Sequence, residues 1–90
     1  MPTLERVRED IREIAGRTKG VRFEEIERIV NQLGALDFET GHRKTRHGHL
    51  FRVANQKFGV CAHNRGRTEV KEVYVLEFLD AMQALGLYEE

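Results

Sequence analysis

All four histidines of this 90-residue chain, His42, His47, His49 and His63, fall between Gly41 and Arg67. The same stretch holds Arg43, Lys44, Arg46, Arg52, Lys57, Arg65 and Arg67, and it contains no Asp or Glu. Imidazole exchanges a proton near neutral pH, and guanidinium and ammonium groups bind phosphate oxygens, so the chemistry that this mixture suits is that of an anionic ligand such as RNA. Cutting an RNA strand internally needs a base for the proton of a 2′-hydroxyl and donors for the charge that builds on phosphorus. A histidine among arginines supplies both without a metal. Phe51 or Phe58, if exposed, would add a stacking surface for a base. The plainer reading is a run of solvated side chains on a loop.

Two other chemistries are weaker. His47 and His49, two apart on a strand, share a face, and His63 with Cys61 would lie on a neighbouring strand, but no CxxC or HExxH spacing is present and the arginines oppose a dication. No metal and no cofactor is therefore expected. Cys61 reads as a buried strand residue; as a nucleophile its only local partner would be His63.

Charge is unevenly placed. The chain has 15 basic and 15 acidic residues, and removing the seven cations of the central stretch leaves eight elsewhere against all 15 carboxylates. A neutral total thus conceals a basic centre between acidic flanks, and nucleic-acid binding follows the patch rather than the sum. Ninety residues suit one domain. No apolar run approaches a membrane span, Glu5 and Arg6 stand where a signal peptide needs apolar residues, and a single cysteine fits a reducing compartment, so a cytoplasmic protein is expected.

The elements that must position this stretch follow from periodicity. Thr3 is placed to cap a helix carrying Leu4, Val7, Ile11 and Ile14 on one narrow stripe, which predicts a helix lying on the surface or against a partner, closed by Gly16 and Gly20. A second helix is predicted from Arg22 to Leu33, with Phe23, Ile26, Ile29, Val30 and Leu33 on a broad face and Gly34 as its left-handed stop. Alternation then predicts strands at Leu36 to Phe38, His49 to Val53 and Phe58 to Ala62. Gly41 to Arg46 becomes a basic loop, Ala54 to Lys57 a hairpin connection, and Asn64 to Arg67 a second loop. A last helix is predicted to begin at Thr68 and Glu69, to carry Val75, Phe78, Leu79, Met82 and Leu85, and to stop at Gly86. The order α-α-β-β-β-α predicts a two-layer α+β domain over residues 1–90, with a three-stranded antiparallel sheet and helices on one face. Residues 1–20 would be an added helix and connector, and residues 21–90 the core.

The run Val21-Arg22-Phe23-Glu24-Glu25-Ile26-Glu27-Arg28-Ile29-Val30, Leu33-Gly34, the basic segment leading to His49-Leu50-Phe51-Arg52, Glu69-Val70-Lys71, Val75-Leu76-Glu77-Phe78-Leu79 and Leu85-Gly86-Leu87 together resemble the HicA toxin family over roughly residues 21 to 87. The resemblance implies a fold similar to double-stranded-RNA-binding domains, metal-independent cleavage of mRNA, and a HicB-like antitoxin as cytoplasmic partner. The family's Gly-Ser-His motif corresponds here to Arg46-His47-Gly48-His49-Leu50-Phe51, which lacks the Gly-Ser pair. By that resemblance His49 is the first candidate for the catalytic base and His47 the second. Arg43, Lys44, Arg46, Arg52, Lys57, Arg65 and Arg67 are the candidate RNA contacts. The competing expectation is a module that keeps the fold and binds RNA or an acidic protein without cutting.

Overall fold

A computed structural model describes residues 3–46, 48–60 and 69–89. Helix α1 spans Leu4–Ala15 and α2 spans Phe23–Ala35; strands β1, Thr40–Thr45, β2, Gly48–Val53, and β3, Gln56–Val60, follow, and α3, Glu72–Ala84, completes the domain. The three strands form one antiparallel sheet in the order β1-β2-β3. The α+β architecture and the element order agree with those read from the sequence.

Local chemistry sets the helix ends. The Thr3 hydroxyl accepts the Arg6 N–H at 3.1 Å and starts α1. Helix α2 has no capping side chain before it; instead the Glu25 carboxylate reaches back to the Arg22 N–H at 2.8 Å. Its end differs from the predicted one. Gly34 lies within the helix, and Asp37, at φ 72°, takes the left-handed position. The Phe38 N–H then donates to the Leu33 carbonyl at 3.0 Å, which closes the turn as a Schellman motif. Gly34 answers a packing need: a Cβ there would stand 3.2 Å from Thr40 Oγ1, where β1 begins against the helix. At α3, Gly86 at φ 75° does stop the helix, with Leu87 N–H donating to Met82 O at 2.9 Å.

The strands correct the sequence reading at one point. Leu36 and Phe38 belong to the exit from α2, and the predicted basic loop is β1 itself. Four polar residues, Thr40, Arg43, Lys44 and Thr45, hide that strand from an apolar pattern, because only its pairing partner β2 faces the core strongly. The β2–β3 connection is also tighter than expected, since only Ala54 and Asn55 lie outside the strands and Ala54 sits at φ 54°. Helix α3 starts at Glu72, because Val70 N–H donates to Val21 O at 2.7 Å and Arg22 bridges to Glu69, holding the preceding chain extended beside the connector.

All three helices lie over one side of the sheet. Phe51, Val53, Phe58 and Val60 meet Ile26, Ile29 and Leu33 of α2 and Val75, Phe78 and Met82 of α3 in one continuous core. Helix α1 is part of it. Val7 and Ile11 are fully buried and Ile14 is 2% exposed, against α2 and α3, while Leu4 alone stays 42% exposed. The narrow stripe suits the groove between two helices, so the surface position expected for α1 is corrected. Each such burial contributes about 1.5–3 kcal/mol.

Candidate functional site

Register decides which central residues meet. Residues directly opposite one another in an antiparallel pair share a face. Lys44 pairs with His49, His42 with Phe51, Leu50 with Gly59 and Arg52 with Lys57. Phe51 is buried beneath the helices, so His42, Lys44 and His49 belong to the helix-covered face. Arg43, Leu50, Arg52 and Lys57 belong to the open one. The sheet therefore separates the candidate base from three of the candidate phosphate contacts.

On the covered side the sheet outruns the helices toward the β1–β2 hairpin, and a small aromatic cluster forms there with Phe23, the first residue of α2. The His42 ring stacks on Phe51 with centroids 4.4 Å apart and planes 16° apart, and the His49 ring lies 4.5 Å from that of Phe23. His42 Nε2 and His49 Nδ1 are 2.7 Å apart, a hydrogen bond between rings. His42 is exposed and His49 half-buried. Burial, then the neighbouring His42 and Lys44, push the His49 imidazole below its ordinary pKa, and Glu27 on α2 partly opposes them. His49 is thus held neutral near pH 7 with Nδ1 occupied, and Nε2 is the ring atom left for a ligand.

The open face is basic. Its strand residues are Gly41, Arg43 and Thr45 on β1, Gly48, Leu50 and Arg52 on β2, and Lys57 and Gly59 on β3, with no carboxylate among them. Arg52 lies across from Gly41, its Nε at an ordinary contact distance of 3.6 Å from where a Cβ would stand. Arg52 and Lys57 stand directly opposite each other, and among the described residues neither pairs with a carboxylate. Like charges so placed destabilise a sheet unless an anion sits between them.

Arg46 is exposed and directly follows β1, next to the Thr45–Gly48 pair that ends the register. The expectations for His47, Arg65 and Arg67, and those for Cys61 and His63, fall outside the described residues. Among the described residues no three His, Cys, Asp or Glu side chains converge on a metal position. No helix there is long and apolar enough to cross a membrane.

His42 is the residue that sequence reasoning left out. Its signal was available once β1 was seen as a strand: with Thr45 opposite Gly48, positions 42 and 49 are diagonal neighbours on one face. Fold and site together define a small α+β domain with a basic open sheet face and a hydrogen-bonded histidine pair at the rim of the other. No family model, curated protein or solved structure matches the chain.

Proposed function

We propose that this chain is an RNA-binding protein of the HicA toxin type that cleaves mRNA without a metal, using His49 as the base. The observation that carries the reading is the His42–His49 pair, a neutral imidazole with one nitrogen engaged and the other available, with Lys44 opposite His49 on β1. His49 Nε2 would take the proton of a 2′-hydroxyl as O2′ bonds to phosphorus and the bond from phosphorus to O5′ breaks. The leaving O5′ takes a proton from solvent. A 2′,3′-cyclic phosphate and a 5′-hydroxyl end result, and Lys44 and Arg46 offset charge on the phosphoryl oxygens. The α-β-β-β-α order of residues 23–84 is the one that the resemblance implies. A HicB-like antitoxin covering the histidines would be the partner.

The test is cleavage of RNA by the purified chain in EDTA, with His49→Ala and His47→Ala alongside to exclude contaminating nuclease. Cleavage that survives chelation and vanishes in His49→Ala, with RNA affinity nearly unchanged, supports the assignment. Undiminished cleavage by that variant sinks it.

One observation favours a second reading. Arg43, Arg52 and Lys57 project from the sheet face opposite the histidines, an arrangement that suits a binding module which holds a polyanion on its open face and cuts nothing. Equal RNA binding by wild type and both variants, with no cleavage by any, would establish it. Preference for RNA over heparin then separates an RNA module from one that meets an acidic protein surface.

A further inference from the structure

The hydrogen bond between His42 and His49 has a proton-counting consequence. Two neutral imidazoles carry one N–H each. A gap of 2.7 Å between Nε2 of one ring and Nδ1 of the other holds one hydrogen: with none, two lone pairs face each other, and with two, the hydrogens collide. In the neutral pair one proton therefore lies in the gap and one on an outer nitrogen. The remaining outer nitrogen is a bare lone pair, and the two roles exchange when the gap proton crosses and the outer proton passes, by way of solvent, from one ring's outer nitrogen to the other's. Adding a single proton changes this. Both outer nitrogens, His49 Nε2 and His42 Nδ1, then carry hydrogen, and the pair has no base to offer.

The added proton has a preferred home. His42 is exposed, while His49 is half-buried against Phe23, with Lys44 across from it on β1 and Glu27 nearby on α2. On β3, the residue opposite His49 is the apolar Val60. Charge therefore settles on the exposed ring. His42 in its charged form donates Nε2–H into the gap, His49 Nδ1 accepts it, and the single proton of His49 moves to Nε2.

We propose that His42 is a positioning residue for the base: its protonation state decides which nitrogen of His49 carries the proton, so that charging His42 closes His49 Nε2 while His49 itself stays neutral. The use of this switch in cleavage rests on the ribonuclease reading above, but the switch belongs to the folded chain and is measurable without RNA. It makes the neutral pair the competent form.

The experiment is a site-resolved NMR titration of the ¹⁵N-labelled full chain from about pH 8 to about pH 5, following Nδ1 and Nε2 of both histidines. His42→Phe keeps a ring to stack on Phe51 and removes the partner nitrogen, while His42→Gln keeps a hydrogen-bonding group and removes the titration. In wild type, His49 should pass to its Nε2–H form in step with the charging of His42 and become charged only at lower pH. Both variants should show one His49 transition with no preceding tautomer step, and in His42→Phe, with a like-charged neighbour gone, it should fall at higher pH. A His49 tautomer that does not respond to His42 in wild type, or a His49 titration that is the same in wild type and His42→Phe, overturns the proposal. Coupling without RNA cleavage in EDTA would remove the ribonuclease reading and leave the switch standing.

Discussion

Asp37 and Ala54 hold positive φ angles, 72° and 54°, that an L side chain adopts only at a cost. Asp37 is needed there because Gly34, the better left-handed residue, is occupied in bringing α2 close to Thr40. Ala54 is forced by the two-residue turn between β2 and β3. Replacing either by glycine should raise stability by up to about 1 kcal/mol, since the relief of steric strain outweighs the added freedom of the unfolded chain. Urea unfolding checks this, and a fall in the midpoint for both variants would mean that these turns are not strained. The same scale shows what residue types alone could convey. The imidazoles and cations that suit phosphodiester chemistry were visible at once, but whether His42 or Arg52 stands beside His49 depends on the face each occupies, and residue type is silent on that.

Faces are set by elements, and here the sequence was legible in proportion to how much apolar surface each element buries. Helices α2 and α3 and strands β2 and β3 carry Ile26, Leu33, Phe51, Phe58 and Phe78 and were readable to within a few residues. Strand β1 was not. Its register with β2 comes from backbone pairing, while its side chains are mostly exposed, so no alternation of hydropathy marks it. Helix α1 was read correctly as a helix and wrongly as peripheral, because three apolar residues can fill a groove between two helices as completely as a broad face covers a sheet. A prediction belongs to that element. Ile11→Ala, at a site with no exposure, should cost about 2–5 kcal/mol, and Leu4→Ala, 42% exposed, should cost much less. Chemical denaturation of both variants decides it; equal and small effects would return α1 to the periphery.

The whole molecule adds two linked balances, one of protons and one of charge. Burial raises the Glu25 carboxyl, but the Arg17 guanidinium and the Arg22 N–H outweigh it and hold that carboxyl below its ordinary value, and Arg17 also reaches Glu13. A carboxyl depressed in this way stabilises the fold above the unfolded pKa of about 4.3, and that stabilisation is lost as pH falls through the folded value. His49, also depressed, acts earlier: as pH drops through about 6.5 the unfolded chain takes up a proton that the folded one resists, so stability declines first there. Unfolding midpoints across pH should therefore fall in two stages, and His49→Phe should flatten the upper one while Glu25→Gln flattens the lower. The charge balance runs the other way on the open face. Arg52 and Lys57 oppose each other with no carboxylate paired to either among the described residues, an arrangement that costs stability and that an anion would relieve. Lys57→Thr should then stabilise the free chain by about 0.2–1 kcal/mol at low salt, because it removes a like-charge pair and adds a residue that favours strands. The same substitution should weaken RNA binding and reduce the slope of log affinity against log salt by roughly 0.7, the share of one phosphate on a single strand. Stability and affinity moving in opposite directions is the signature of a face kept basic for its ligand; if Lys57→Thr leaves affinity and slope unchanged, RNA does not lie on that face and the histidine rim alone carries the contact.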